Sequence, residues 1–278
     1  MNKKLKYSIV LTKKSEYVHT LLKRKIERCK HLKIIKNEEK GKGAILFEVE
    51  AKDVEGDILI SRIISDVIVE NMQLRFLVET VKKKYAFLEE RAQCDVLIKT
   101  LRLLWFRKKD KIDNYTLTKV DIEKRVRKYF EESKKNEIIL DGFLNFRLQD
   151  HKKSWEDMLK RVVQGYILEK DYRDFISILR YFVSIKKPVK KLVNLKYEGN
   201  KYVLSDENGD EIDYAKYESN LGIKGSMSSS DIVLSMLINL APEKIMLYDY
   251  KDFPDKKFVL TVKNVFFKRV VLKTVRQD

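Results

Sequence analysis

At 278 residues the chain is long enough for one or two domains with substantial cores. It carries 59 Lys and Arg against 42 Asp and Glu, a net charge of +17, yet 44% of it is hydrophobic and it holds 14 Tyr and 13 Phe, which excludes wholesale disorder. Nine Gly and three Pro are too few for a collagen-like, linker-dominated or turn-rich all-β chain. Leu5–Leu11 reads as a strand, and Lys14–Lys30 as a helix with the apolar stripe Tyr17, Val18, Leu21, Leu22 and Ile26. Leu32–Asn37 and Ala44–Ala51 follow as two strands joined by a polar, glycine-bearing turn. Apolar residues at 59, 60, 63, 64, 67 and 68, then at 74, 77, 78 and 81, predict helix from Ile58 to Tyr85. A second helix is expected over Phe87–Phe106, with Leu88, Cys94, Leu97, Ile98, Leu101, Leu104 and Trp105 apolar. A charged loop at 108–114 ends it, and Thr118–Ser133 is a third, with Val120, Val126, Tyr129 and Phe130 inward. Ile138–Leu148, Trp155–Leu168 and Tyr172–Ile185 continue the helical run until Pro188. Beyond it come strands at Val189–Tyr197 and Tyr202–Leu204, a tight turn at Glu207–Asp210, and a helix over Asp231–Leu240. The chain closes with a strand at Lys244–Tyr248, a helix at Asp255–Phe266 and a strand at Arg269–Lys273, a spacing that favours a parallel pair.

The expected fold is therefore α+β: a small N-terminal β-α-β-β unit, a helical middle, and a C-terminal βα unit with a parallel strand pair. Its segments are 1–52, 53–187 and 188–278, which can pack as one body. Charge is blocked along this order. Residues 1–42 hold 14 basic and four acidic side chains, +10; residues 43–98 come to −4 and residues 99–135 to +7. Lys outnumbers Arg by 44 to 15, while Ala, Gly and Pro together number 18. That is the usage of an AT-rich genome, whereas a surface selected to read bases would favour the forked guanidinium. The charge alone does not choose a function.

Most catalytic signatures are missing. There is no phosphate-cradling G-x-x-x-x-G-K-[ST] loop, and Gly41-x-Gly43 lacks a third glycine. His19, His31 and His151 stand in no metal-binding spacing, and Cys29 and Cys94 lie too far apart for a C-x-x-C motif, so no cofactor or metal is expected. No apolar run reaches the ~18 residues of a membrane span, and the basic opening is followed by too short an apolar stretch for a secretory signal. A cytoplasmic protein is expected. Carboxylates assembled by folding could still form an acid/base pair, but no pattern points to one, and a non-enzymatic role is the expectation.

Four features stand out. Lys13, Lys14, Lys23, Arg24, Lys25 and Arg28 surround the first helix and would suit phosphate contacts, although a Lys-rich solvated face explains them equally. The serines at 226–230 suit an anion or, more simply, an N-cap supplied by Ser229 or Ser230. Gly222-Ile223-Lys224-Gly225 has the form of an RNA-clamping GxxG loop, which chance readily supplies. Last, Arg147 and Arg180, the latter beside Tyr181, sit among aromatics and could contact an acidic partner or anion, or simply pair with nearby carboxylates.

The stretch Asp141–Leu148, DGFLNFRL, followed by Glu169–Val183, EKDYRDFISILRYFV, resembles the YtxC-like family of sporulation proteins of endospore-forming bacteria. Leu240–Ile245 and Phe266–Val270 are similar to the C-terminal part of that family, whereas the first hundred residues agree only in general layout. Family members with a cysteine-bearing tail have no counterpart in Lys273–Asp278. The resemblance implies a sporulation-linked cytoplasmic protein and brings no catalytic residues with it; with the missing catalytic signatures, it favours a non-enzymatic role through contacts with a protein partner. The other reading is a nucleic-acid-binding protein using the basic blocks 1–42 and 99–135.

Overall fold

Two four-stranded sheets organise the described residues, and each builds its own compact unit, Met1–Tyr166 and Ile167–Asp278. The computed structural model describes residues 5–12, 16–40, 44–106, 108–109, 112–133, 136–213 and 228–274. The sequence alone suggested breaks near 52 and 187 instead.

In the first unit, β1 (Leu5–Thr12), β2 (Leu32–Lys40) and β3 (Ala44–Ala51) form an antiparallel set around β3. Inward residues Ile9, Leu11, Phe47 and Val49 are fully buried. α1 (Glu16–Glu27) buries Val18, Leu21, Leu22 and Ile26, and Tyr17, expected in that stripe, is 73% exposed. The fourth strand comes from far along the chain. β6 (Glu137–Ile139) pairs parallel with β1, Ile9 opposite Ile138, so the expected helix at Ile138–Leu148 starts as a strand and becomes α6 only at Leu140–Arg147. A parallel neighbour cannot be reached by a tight turn, so the intervening helices serve as the crossover.

Those helices begin with α2 (Val54–Val67), which runs through a π-helical turn at Ile68–Met72 into α3 (Gln73–Lys84). The wider turn rotates α3 by one position, so that Met72 and Gln73, not Leu74, face inward. α4 (Glu90–Phe106) buries Ala92, Val96 and Thr100, while Ile98 and Cys94, expected apolar positions, are exposed. After a two-residue ladder, β4 (Lys108–Lys109) with β5 (Ile112–Asp113), α5 (Asn114–Ser133) buries Ile122, Val126 and Phe130 but leaves Val120 exposed. α7 (Gln149–Ile185) is one helix where the sequence suggested two. Its first part buries Trp155, Leu159, Val162 and Val163 in the first unit, and its second part buries Ile176 and Val183 in the second.

In the second unit, β7 (Leu192–Glu198) and β8 (Lys201–Ser205) form a hairpin whose Gly199-Asn200 turn takes the positive φ values, 55° and 65°, of a two-residue loop. The Glu207–Asp210 turn follows β8, organised by Asp206, whose carboxylate accepts from the backbone N–H of Asn208 and Asp210. β9 (Lys244–Tyr248) and β10 (Val270–Lys273) add the parallel pair read from the sequence, giving the order β10-β9-β7-β8. α8 (Ser229–Leu240) is capped by Ser228, one residue before the expected serines, and stops at Ala241 in the left-handed region ahead of Pro242. α9 (Lys256–Phe266), capped by Asp255, connects β9 to β10. The GxxG stretch lies outside the described residues.

One joint in the first unit is tight. A Cβ on Gly56 would stand 2.9 Å from both the Ala51 side chain and the His31 carbonyl oxygen. Gly56→Ala is therefore expected to destabilise the protein by about 1–3 kcal/mol, the usual cost of overpacking, read from urea denaturation. Next to it, Asp53 caps α2 by accepting from Gly56 N and receives Nδ1 of His31 at 2.7 Å, while Nε2 of His31 faces Glu55 at 3.2 Å. The hydrogen bond to Asp53 raises the His31 pKa, and the same bond lowers that of Asp53. With His31 raised above ~6.5, its contribution is complete below that value and is lost as pH rises through the raised pKa; that of Asp53 fades only as pH falls through its lowered pKa. The stability difference between wild type and His31→Gln is expected to be larger at pH 5.5 than at pH 8.5 in paired urea titrations.

Candidate functional site

Arg180 leaves the second part of α7 toward the C-terminal end of α9. Its Nε donates to the Asn264 carbonyl at 2.5 Å, and its guanidinium carbon lies 5.4 Å from the centroid of the Phe267 ring. The cation thus meets the carbonyl-rich end of a helix and an aromatic face together. Phe267 reaches this place because the chain leaves α9 through a positive φ of 36°. Two residues on, Arg269 Nη1 donates to the carbonyls of Ala241 and Pro242 at 3.0 and 3.1 Å, tying the start of β10 to the end of α8. Tyr172 OH, about two turns earlier on α7, receives Nδ2 of Asn264 at 3.1 Å.

Between these groups lies a cavity of about 240 Å³. Arg180, Lys268 and Arg269 supply its charge, Val183, Val265 and Phe266 its apolar floor, and no carboxylate is among its lining residues. That volume is below the ~300–1,000 Å³ of metabolite pockets, so it suits a single anionic group rather than a whole cofactor. Arg180 spends one N–H on Asn264, and a guanidinium carries four more.

Arg147 belongs to the other unit and has other partners. Its guanidinium carbon lies 5.8 Å from the Tyr129 ring centroid, and it lines a second cavity of about 240 Å³ with Arg125, Lys128, Tyr129, Glu132 and Phe143. That cavity is mixed in charge. Arg125 is already held by Asp150 through two hydrogen bonds of 2.8 and 2.6 Å and by Asp121 at 2.8 Å, and the bond from Arg125 holds Asp150 below the usual carboxylate range. Tyr181 is 62% exposed and is not among the residues lining either cavity.

The profile of the YtxC-like family matches residues 58–271. The chain belongs to the YtxC-like family. Over 130 residues it is also 30% identical to YtxC, an uncharacterized protein of Bacillus subtilis (strain 168), and that similarity spans 46% of either chain, about half the relative's length. No solved structure matches it. Arg147, Arg180, Phe267 and Arg269 all fall within the span shared with the YtxC-like family, whereas the basic residues of α1 fall before it.

Those basic residues divide. Lys13 and Lys14 lie outside the described residues. Lys23, Arg24 and Arg28 are exposed, Lys23 beside Glu27 at 3.9 Å. Lys25 instead turns inward. It reaches Asp66 at 3.2 Å and Glu70 at 3.1 Å, carboxylates one helical turn apart on α2 and its π-helical extension. Lys119 of α5 meets the same Asp66, and Tyr115 OH donates to Glu70 at 2.8 Å. Burial works against the charge on Lys25, but Glu70 and Asp66 outweigh it and raise its pKa. Burial and the bond to Glu70 push the Tyr115 phenol up as well. The two basic blocks thus meet, but across a pair of acids. The sequence carried a signal for this in the acidic i, i+4 pair placed within the −4 segment between them.

Among the described residues no three His, Cys, Asp or Glu side chains gather where they could hold a metal, and no helix is long and apolar enough to cross a membrane. The chemistry available at the Arg180 cavity is charge recognition. At the acidic pair, Asp66→Asn leaves two partly buried ammonium groups without their shared counter-charge. It is expected to cost about 1–3 kcal/mol in urea denaturation, below the range for fully buried pairs because both lysines retain some contact with water.

Proposed function

We propose that this protein is a non-catalytic cytoplasmic binding protein of sporulating cells, and that it holds an acidic side chain of a protein partner in the cavity beside Arg180. The observation that carries this reading is the convergence of Arg180, Lys268 and Arg269 around a small cavity with no lining carboxylate. Its three cations come from two of the stretches that resemble the family, Glu169–Val183 and Phe266–Val270. The sporulation setting rests on that resemblance. A guanidinium already fixed by a carbonyl and an aromatic ring loses little freedom on pairing with a carboxylate, which favours binding.

Charge pairing in the other unit supports a protein partner over a nucleic acid. Lys25, Lys119, Arg125, Arg127 and Lys128 all face carboxylates within the chain, so these cations of the two basic blocks are already paired. A phosphate-tracking surface needs uncompensated cations.

Lys268 is exposed, so Lys268→Glu is expected to leave the melting temperature unchanged while weakening a labelled acidic peptide at least tenfold, followed by fluorescence anisotropy at ~50 mM salt. Capture of the same partner set from sporulating cells is expected with the wild type and not with the variant. Tighter binding of a single-stranded oligonucleotide than of the peptide, unchanged by Lys268→Glu, would replace this reading with the nucleic-acid one.

A further inference from the structure

We propose that a further cavity, between α9 and the loop that leads into it from β9, holds a small amphipathic anion: a carboxylate or phosphate group on an apolar body. The cavity has a volume of about 420 Å³. That lies within the ~300–1,000 Å³ of metabolite pockets, unlike the cavity beside Arg180, and the two share no described lining residue. α9 supplies Lys256, Val259, Leu260 and Lys263, whose positions i, i+3, i+4 and i+7 fall on one helical face. The loop supplies Tyr250 and Lys251.

The loop is fixed before any ligand arrives. It leaves β9 through Asp249 at a positive φ of 44°, whose N–H donates to the Lys273 carbonyl at 2.9 Å. Asp252 N–H donates back to the Asp249 carbonyl at 2.8 Å. Phe253, 1% exposed, anchors the far side of the turn among the rings of Tyr202 and Phe258. Lys256 Nζ donates to the Lys251 carbonyl and ties the first turn of α9 to the loop. A wall held in this way needs little ordering on binding.

The lining selects the ligand class. Lysine ammonium groups donate hydrogen bonds and accept none, and of the six described lining side chains only the Tyr250 hydroxyl can accept. A sugar or nucleoside would leave most of its own donors unpaired there, so the polar part of the ligand must be an acceptor. Three ammonium groups, with no carboxylate among the described lining residues, require that acceptor to be negative. Asp255, next to Lys256, is engaged elsewhere: it accepts from the N–H of Lys257 and Phe258 and from the Ser230 hydroxyl. The rest of the ligand must be apolar. Val259 belongs to the core of the second unit and Tyr250 packs against it, while Leu260 remains 50% exposed. An apolar body laid over Val259 and Leu260 removes that surface from water.

Calorimetry on the full chain at ~50 mM salt, where charge contacts are least screened, is expected to show one decanoate or decyl phosphate bound per chain below micelle formation. Acetate and inorganic phosphate should bind at least about tenfold more weakly, since each buried methylene is worth about fourfold. Decanol should also bind more weakly. Lys263 and Leu260 are exposed, so Lys263→Glu and Leu260→Asn are each expected to weaken decanoate at least tenfold with an unchanged melting temperature. Lys268→Glu, at the Arg180 cavity, should leave decanoate binding as it is, and Lys263→Glu should leave the acidic peptide bound. Decanoate binding that survives both Lys263→Glu and Leu260→Asn would place the amphiphile elsewhere and overturn the proposal. So would acetate binding as tightly as decanoate, or binding to phosphatidylglycerol vesicles with none to either free amphiphile.

Discussion

The parallel pairing of Ile9 with Ile138 holds the first unit together. Strands joined in that sense need a crossover, and here the crossover is the whole helical run from α2 to α5. α2 packs on α1 and α5 on α2, so residues distant in sequence, Lys25 and Lys119, reach the same carboxylate of Asp66.

This changes the meaning of the net charge. The +10, −4 and +7 segments look like two basic surfaces separated by an acidic stretch. Packed as α1, α2 and α5, they partly cancel, because the acidic helix stands between the two basic ones. In the second unit, where the charge excess is small, the cations gather without lining acids at the cavity beside Arg180. Local pairing, more than total charge, decides where an anion can bind.

The second unit also shows how one helix serves two purposes. α7 buries Ile176 and Val183 in the core of the second unit, while Arg180 closes the carbonyl end of α9. The motif that resembles the family, LRYFV, is in this light partly a packing device: Val183 fills the core and Arg180 locks one helix to the end of another. Phe182 and Tyr181 remain outside.

Element types were largely legible in the sequence, because period-2 and period-3.6 apolar patterns reflect which face each element buries. The N-terminal strands, the parallel pair β9 and β10, the stop at Ala241-Pro242 and the family resemblance all came from local residues. Faces were less legible. Tyr17, Ile98 and Val120 fit an apolar stripe but stay in water, since an apolar side chain marks a face only if another element arrives to cover it. The π-helical turn shifted the register of α3 by a hydrogen bond that composition does not reveal. The sequence by itself determined the α+β class and the family. Only the tertiary structure decided that Arg147 and Arg180 belong to separate units and that Arg180 faces Phe267 and Asn264. Strand order and helix packing bring together residues over 80 positions apart, and that proximity has no local signature in the chain.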